Sequence, residues 1–229
     1  MRLPLLLVVS AFMLPAAIRA AAPAATADLA LWAVEQAPGG KVFIRDGALV
    51  IQDAGGCTVW WREPLQQPVE ISYEATLVSR GGPFDRVSDL NCFWMAQDPK
   101  TPGVRPAGRS GAFRDYDSLF TYYVGYGGNN NSTTRFRRYD GTAARPLLPE
   151  HDLADRRFLL EANRVFRIRL VARDGVAEYW RDGEKLFSYR DAAPLSRGWF
   201  AIRTVKSHLE IRNFQVRPLP PAGPNVTRE

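Results

Sequence analysis

The sequence is poor in the side chains that build metal centres. Its 229 residues include only two cysteines, Cys57 and Cys92, and two histidines, His151 and His208. No two of the four are as close in the sequence as the paired ligands of zinc sites are. This spacing excludes a metal centre made of these residues, and we predict neither a metal nor another cofactor.

Several catalytic motifs are also absent. A retaining glycosidase needs two carboxyl groups about 5 Å apart, and the runs Glu-x-Asp-x-Glu and Glu-x-Asp-x-x-Glu, which would supply them on one strand, do not occur. The Gly-x-Ser-x-Gly elbow of serine hydrolases is missing. Phosphate-loop and dinucleotide fingerprints are missing too, since Gly125, Gly127 and Gly128 do not introduce a helix.

The sequence has no hydrophobic run of the length that crosses a membrane. The stretch Leu3–Ala17 is nearly all apolar but is shorter than the roughly 18 residues that a spanning helix needs. Together with Arg2 it predicts an export signal over residues 1–20, so we expect a secreted or periplasmic protein without a membrane span. In an oxidising compartment Cys57 and Cys92 form a disulfide or remain two buried thiols, and the sequence leaves both open.

The charge balance is only mildly positive. The formal net charge of +6 falls to +4 when Arg2 and Arg19 leave with the signal. Such an excess is too small to indicate a nucleic-acid partner, although local clusters of arginine remain meaningful.

Apolar and polar residues alternate through most of the remaining chain. The run from Val69 to Leu77 alternates at every position, which is typical of a strand with one buried face. Ten or more such runs, separated by Gly and Asp turns, predict one all-β sandwich domain over residues 28–217. Only residues 152–163 resemble a helix, and the Pro-rich residues 218–229 predict a flexible tail.

The stretch Tyr122–Tyr139 combines four tyrosines, three asparagines and three arginines. Aromatic rings stack on sugar faces, amides donate and accept hydrogen bonds, and guanidinium groups suit carboxylates or phosphates. We therefore expect a binding surface for a ring-shaped anionic ligand, in which Asn130 takes part. The alternative is an aromatic hairpin with a solvated basic edge.

A second strand, Val87–Gln97, presents Asp89, Asn91 and Phe93 on the face opposite Cys92 and Trp94. Arg135, Arg137 and Tyr139 likewise share one face of their strand. If the two strands belong to one sheet, Asp89, Asn91, Arg135 and Arg137 would form one wall of a groove. The aperiodic residues 98–114 predict a long loop, which is either a functional rim or a surface insertion.

One reaction requires tyrosine, histidine and arginine without a carboxylate pair. In the β-elimination of a uronic-acid polysaccharide, a cation or amide neutralises the carboxylate, and tyrosine or histidine transfers the proton. We predict His208 with Tyr123 or Tyr139 as the acid–base pair. Substrate-binding residues would be Arg86, Asp89, Asn91, Asn130, Arg135, Arg137 and Arg203. The same residues fit passive binding of an acidic polysaccharide or oligosaccharide equally well.

Four segments resemble a known family. They are Trp60-Trp61, Asp85–Ala96, Tyr122–Tyr139 and Gly198–His208, and they look like the secreted YesU-like proteins of bacteria. The resemblance implies a concanavalin-like jelly roll and a polysaccharide-degradation context.

A looser likeness links the chain to jelly-roll polysaccharide lyases, which use Arg, an amide, His and Tyr on one sheet. It implies Arg86 or Arg135, Asn91, His208 and Tyr123 or Tyr139 in those roles, although the lyases' Gln-Ile-His and Tyr-Phe-Lys motifs are absent. A lyase is therefore the first hypothesis. A non-catalytic carbohydrate-binding module and a hydrolase with an unfamiliar carboxylate arrangement are the alternatives.

Overall fold

The computed structural model describes residues 25–220, in which fifteen β-strands alternate with turns and short 3-10 segments. The strands are β1 (Trp32–Gln36), β2 (Lys41–Arg45), β3 (Ala48–Gln52), β4 (Cys57–Trp61), β5 (Leu65–Gln66), β6 (Val69–Leu77), β7 (Leu90–Gln97), β8 (Phe120–Gly127), β9 (Thr133–Asp140), β10 (Asp152–Leu153), β11 (Val165–Arg173), β12 (Val176–Arg181), β13 (Glu184–Arg190), β14 (Arg197–Thr204) and β15 (His208–Pro218). The predicted export signal and most of the predicted tail lie outside the described residues. Within them, no helix is long and apolar enough to cross a membrane.

The strands form two antiparallel sheets. One sheet has the order β1-β4-β14-β7-β8-β9-β10, with β5 added beside β14, and the other has the order β13-β12-β11-β6-β15-β3-β2. Strands that are neighbours in a sheet are often distant in the chain, as in the pairing of β14 with β7. The predicted sandwich of two antiparallel sheets is confirmed.

The hydrophobic core lies between the two sheets. In β6, the alternate residues from Val69 to Leu77 are all buried, because successive side chains point to opposite faces of a strand. Trp94, Tyr122 and Phe136 supply the facing layer from β7, β8 and β9, with ring centroids 5.5 to 6.3 Å apart. Alternate residues in the strands of the aromatic-rich stretch Tyr122–Tyr139 therefore pack in the core. The residues between them face the outside of the sheet.

A second apolar cluster covers part of the outer face of the eight-stranded sheet. It contains Trp60, Phe93, Tyr116, Tyr139 and Trp199, all buried. The segment between β7 and β8, residues 98–119, lies over this face and will be called the cover loop. The cluster explains why so many outward-facing residues of the sheet are aromatic.

The carboxylate of Glu35 fastens the cover loop to the sheet. Its Oε2 accepts hydrogen bonds from Trp60 Nε1 at 2.8 Å and from the Tyr116 hydroxyl at 3.0 Å, and its Oε1 accepts one from the Arg109 backbone N–H at 3.0 Å. A second tie within the loop joins Arg109 Nη2 to Asp98 Oδ2 at 2.5 Å, and both side chains are buried. The loop is thus held by buried polar groups as well as by aromatic packing.

Two predictions of local structure are wrong. Residues 152–163 form the short strand β10 and a 3-10 turn, Arg156–Phe158, instead of a helix. In β7 the predicted alternation fails after Trp94, because a bulge with positive φ at Met95 turns Met95 into the main core and Ala96 into the outer cluster. A bulge inserts one extra residue and so exchanges the faces of the residues that follow.

Both cysteines are free and buried in the structure. Burial raises the pKa of Cys92 to about 12 and raises the pKa of Cys57 even further. Of the two possibilities that the sequence left open, the structure has the two buried thiols, which behave as small apolar side chains.

Loss of the Glu35 carboxylate should weaken the whole domain. Glu35→Ala leaves two buried donors and one part-buried donor without their acceptor, and each hydrogen bond to a charged group contributes roughly 1.5–3 kcal/mol. We expect the free energy of unfolding, measured by urea titration, to fall by about 3 kcal/mol or more, with faster proteolysis in residues 98–119. The exposed Glu63 is the matched control, since Glu63→Ala should stay within about 0.5 kcal/mol of the parent. Equal effects of the two substitutions would contradict this role of Glu35.

Candidate functional site

A cleft of about 410 Å³ opens on the outer face of the eight-stranded sheet, beside the cover loop. Its floor comes from β7, β8 and β9, and five residues predicted from the sequence line it. They are Asp89, Asn91, Tyr123, Arg135 and Arg137. The predicted common wall of Asp89, Asn91, Arg135 and Arg137 therefore exists, with β8 between the two strands that carry it.

Strand register brings these side chains together. Asn91 lies opposite Gly125, and Gly125 lies opposite Arg135. The next row of outward-facing residues on the same strands consists of Phe93, Tyr123 and Arg137. Phe93 lies opposite Tyr123, and Tyr123 lies opposite Arg137. Residues directly opposite in antiparallel strands project from the same face, so the floor of the cleft is a small grid of amide, phenol and guanidinium groups around a glycine.

Gly125 leaves room that Tyr123 uses. A Cβ atom on Gly125 would lie 2.9 Å from the Tyr123 hydroxyl oxygen, so the phenol leans along its own strand and covers the glycine. The ring of Tyr123 packs at 5.1 Å from Phe93 and 5.7 Å from Phe113 of the cover loop. Burial raises the pKa of Tyr123 well above its ordinary value. The phenol is therefore protonated at neutral pH and serves as a hydrogen-bond donor.

Asn91 is almost fully buried, yet its Oδ1 has no hydrogen-bond partner among the described residues. Its Nδ2 lies 3.4 Å from Asp89 Oδ1, a weak contact. The other oxygen of Asp89 accepts hydrogen bonds from Arg86 Nη1 at 2.8 Å and from the Ser88 hydroxyl at 2.7 Å. Asn91 thus lines the cleft with a free acceptor, whereas the Asp89 carboxylate is already neutralised by Arg86.

The two cleft arginines of β9 differ in their partners. Arg135 makes a bidentate pair with Asp152, from Nε and Nη2 at 2.8 and 2.9 Å. Arg137 donates to the backbone carbonyl of Arg145 and has no carboxylate within salt-bridge distance among the described residues. Burial lowers the pKa of Arg137, and the nearby charges of Arg135 and Arg145 lower it further. Arg137 is the cleft cation whose charge the protein leaves uncompensated.

Two predicted binding residues have a structural position instead. Arg86 lies outside the cleft lining and donates to Asp89, to the carbonyl of Val205 and to Asn130 Oδ1 at 2.6 to 2.8 Å. Asn130 holds Arg86, while its neighbour Asn129 reaches the cleft. Arg86 and Asn130 therefore clamp the loops at one end of the cleft.

Two more predicted residues lie under the cover loop. Arg203 is fully buried, with its guanidinium carbon 5.0 Å from the Phe113 ring and 4.8 Å from the Tyr116 ring, and its Nη1 donates to Thr58 Oγ1 at 2.9 Å. The ring of Tyr139 lies 5.3 Å from that of Tyr123, and its hydroxyl is buried. Burial raises the pKa of Tyr139 to about 12. The prediction that either residue faces the cleft is wrong, because the cover loop occupies this part of the sheet.

His208 is not part of the cleft. It begins β15 in the other sheet and pairs there with Gln52. Its Nδ1 lies 3.0 Å from Asp85 Oδ1, and both side chains are buried. Asp85 also accepts hydrogen bonds from the backbone N–H groups of Arg80 and Gly82, at 2.5 and 2.9 Å. His208 therefore anchors the segment before β7, and the predicted pairing with Tyr123 or Tyr139 across a groove is not present.

The sequence did not indicate how the end of the cleft at the β8–β9 turn would be built. Gly128–Asn131 forms a tight turn in which Asn129, Asn130 and Asn131 all have positive φ. Asparagine tolerates this left-handed region better than other non-glycine residues, which gives the three consecutive asparagines a conformational reason. The amide of Asn131 fixes the turn by pairing with the backbone of Leu160 at 2.8 and 2.9 Å.

Two further lining residues, Phe113 and Arg145, come from loops. The guanidinium carbon of Arg145 lies 4.8 Å from the ring centre of Phe113, and its Nε lies 3.2 Å from Asp117 Oδ1. The aperiodic residues 98–114, predicted to be either a functional rim or a surface insertion, include Phe113, which lines the cleft, but the loop that carries Arg145 showed no signal of its own. Within the described residues, no three His, Cys, Asp or Glu side chains converge as metal ligands would.

Residues 51–214 match the sequence profile of DUF6250, a domain of unknown function. The chain belongs to the DUF6250 family. This match covers the cleft, the cover loop and the strands from β4 onward, whereas Glu35 and the strands β1 and β2 precede it. No curated protein matches the sequence significantly. The matched family is DUF6250 and not the YesU-like family. The resemblance to YesU-like proteins is confirmed for the fold only.

Three solved structures share this fold. A protein of unknown function with a galectin-like fold from Bacillus subtilis has a TM-score of 0.60 at 15% identity, over 82% of this chain and 90% of that one. The carbohydrate-binding module CBM66 from Bacillus subtilis has a TM-score of 0.55 at 10% identity, over 82% and 95%. The exoplasmic/lumenal domain of VIP36, bound to Ca²⁺ and Man3GlcNAc, has a TM-score of 0.55 at 10% identity, over 86% and 88%. At these identities the likeness gives the galectin-like, jelly-roll fold and no more.

The Asp85–His208 contact should make stability depend on acid pH. Burial alone would raise the pKa of Asp85, but the hydrogen bonds from Arg80, Gly82 and His208 outweigh it and the pKa is lowered. A lowered carboxyl pKa stabilises the folded state above the unfolded value of about 3.9, and this stabilisation is lost as pH falls through the lower folded value.

Asp85→Asn tests this sign. The variant should have a lower melting temperature than the parent at pH 7, and the difference should shrink progressively below about pH 4. Thermal unfolding of both proteins between pH 7 and pH 2.5 measures it. A difference that stays constant over this range would show that the charge of Asp85 contributes nothing to folding.

Proposed function

We propose that the cleft binds a glycan that carries an acidic sugar. The observation that carries this proposal is the guanidinium of Arg137, which lines the cleft beside Tyr123 and has no carboxylate partner among the described residues. Arginine forks bind carboxylates through paired, charge-assisted hydrogen bonds. A carboxylate on the ligand would supply the counter-charge that no described residue gives to Arg137.

The rest of the cleft floor suits the hydroxyl groups and ring of a sugar. Asn91 offers a free amide oxygen as acceptor, and Tyr123 offers a protonated hydroxyl as donor. Between them Gly125 has no side chain, and the phenol of Tyr123 lies over it and forms the surface of the cleft there. Ligand sites commonly combine apolar and aromatic walls with a few such fixed polar groups.

The comparisons support a carbohydrate ligand, since CBM66 and the VIP36 domain share the fold and are described as binding carbohydrate. A closer kinship to YesU-like proteins of polysaccharide degradation is part of the proposal. So are the export signal over residues 1–20 and a secreted or periplasmic location.

Binding without chemistry is the form of this proposal that the geometry favours. A lyase requires a group that removes a proton, and His208 lies in the other sheet while Tyr139 is buried under the cover loop. β-Elimination remains a second candidate because Tyr123 stands beside Asn91 and Arg137, which is the neighbourhood that the reaction demands. The raised pKa of Tyr123 suits an acid better than a base.

Arg137 should carry a large part of the affinity for acidic glycans. Arg137→Met keeps the aliphatic stem and removes a charge-assisted contact of roughly 1.5–3 kcal/mol, so binding should weaken about tenfold or more. Isothermal titration with oligomers of galacturonic, glucuronic and mannuronic acid measures the change. Added salt should reproduce part of the loss in the parent protein by screening the charges.

Arg167→Met is the matched control, because Arg167 is highly exposed on the outer face of the other sheet. It should leave affinity and melting temperature unchanged. If Arg137→Met binds acidic oligomers as tightly as the parent does, the ligand of the cleft is not an acidic sugar.

Tyr123→Phe separates binding from elimination. The substitution removes one hydrogen bond, so a binding protein should lose affinity by a few-fold only. In a lyase the same change should reduce the formation of unsaturated, ultraviolet-absorbing product by about 100-fold or more. Parent protein that retains oligomers on a column but never releases unsaturated product establishes binding; product formed by the parent and lost in Tyr123→Phe establishes the lyase.

A further inference from the structure

The outer face of the eight-stranded sheet is divided into a covered half and an open half. Strand register defines one polar row across it: Glu35, Thr58, Arg203, Asn91, Gly125 and Arg135. All of these side chains project from the same face. A groove along the whole row would be open at both ends. It could therefore bind the interior of a long polymer.

The cover loop closes the first half of the row. Its Tyr116 and Arg109 bond to Glu35 at the far edge of the sheet, and its Phe113 and Tyr116 lie over Arg203. Only Asn91, Gly125 and Arg135 remain in the cleft. The passage across the sheet therefore stops at Phe113.

A second contact strengthens this closure. Arg145, from the segment between β9 and β10, pairs with Asp117 at 3.2 Å and lies 4.8 Å from the ring centre of Phe113. Its backbone carbonyl accepts a hydrogen bond from Arg137 on the cleft floor. Two segments distant in the chain thus meet and form one wall at this end of the cleft, which we call the end wall.

Along the strands, the cleft is bounded by the Gly128–Asn131 turn, which joins β8 to β9. The turn is held on one side by the pairing of Asn131 with the Leu160 backbone and on the other by the contact of Asn130 with Arg86. Gly128 and Asn129 of this turn line the cleft. The cleft is thereby closed toward β14 and at the β8–β9 turn, with a volume of about 410 Å³ at the small end of the range for ligand sites.

We infer that the cleft recognises the terminal residues of a glycan chain and excludes the chain interior. This inference deepens the proposed function and rests on it. The free Oδ1 of the buried Asn91 and the uncompensated Arg137 give a terminal acidic sugar its acceptor and its counter-charge. The end wall prevents the next sugars from continuing across β14, so the chain has to leave on the side of Arg135 or upward into solvent.

A comparison of chain lengths tests the inference. Galacturonan, alginate and glucuronan are each offered as the intact polymer and as a short oligomer of three to four sugars, roughly the scale of such a cleft, and affinity is measured by titration. A protein that binds ends has the same dissociation constant per mole of chain ends for polymer and oligomer, and so binds the polymer far more weakly per unit mass. A protein that binds the interior has the same dissociation constant per mole of sugar.

The outcomes separate the two proposals. Binding to none of the glycans at any length overturns the proposed function, and the inference falls with it. Binding that follows the mass of sugar keeps the proposed function and overturns terminal recognition. Binding that follows the number of chain ends supports both, and reduction of the oligomers with borohydride then reports whether the reducing end is the one held.

Variants of the end wall give a second test. Phe113→Ala and Arg145→Ala each remove one of the two side chains that meet in the end wall. Each variant should bind the interior of the polymer better than the parent does. The ratio of oligomer affinity to polymer affinity, both per unit mass, should therefore fall at least threefold. Arg114→Ala is the matched control, because Arg114 belongs to the same loop but is exposed and does not line the cleft. Thermal unfolding verifies that each variant is folded. An unchanged preference in folded Phe113→Ala and Arg145→Ala would overturn the role of the end wall.

Discussion

The buried carboxylate of Glu35 is the interaction on which the site depends. It accepts hydrogen bonds from Trp60, Tyr116 and the backbone of Arg109, and so ties β1 and β4 to a loop that begins three strands away. A buried carboxylate is stable only when donors surround it. The cover loop provides two of these donors, and in meeting that requirement it comes to lie over one half of the sheet. The extent of the cleft follows from the half that remains open.

The arginines in and around the cleft differ in whether they have a carboxylate partner. Arg86, Arg109 and Arg135 each have a carboxylate partner at 2.5 to 2.8 Å. Arg203 is stacked on aromatic rings and sealed from solvent. Arg137 alone among the cleft's arginines lacks a carboxylate partner in the described part of the chain, since Arg145 pairs with Asp117. Arg137 instead donates to the backbone carbonyl of Arg145, so its charge is free to meet a ligand in the proposed function.

The backbone at the cleft is unusual in several places. Asp89 and Met95 have positive φ at the two ends of β7, and three asparagines in succession do so at the turn after β8. Such conformations cost free energy and persist where the surrounding structure fixes them. At Asp89 the backbone N–H bonds to the carbonyl of Gly127, which joins the start of β7 to the end of β8. The strain therefore serves to bring Asp89 and the asparagine turn to the same end of the cleft.

Alternation of apolar and polar residues was enough to predict the two-sheet fold and the faces of most strands. It correctly placed Arg135 and Arg137 on one face of their strand, because a strand has a fixed period of two. It failed where a local irregularity interrupts that period, as at the Met95 bulge, and where a short polar segment imitates a helix, as at residues 152–163.

Local sequence patterns predicted only part of the candidate site. Asn91, Tyr123, Arg135 and Arg137 could be chosen from the sequence because their strands and faces could be read from it. His208, Tyr139 and Arg203 could not be judged in this way, since their positions depend on which sheet β15 joins and on the path of the cover loop. The sequence by itself determined the chemistry of the outer face. Only the tertiary structure decided which part of that face stays open, because the covering contacts form between distant residues, such as Glu35 and Tyr116, 81 positions apart.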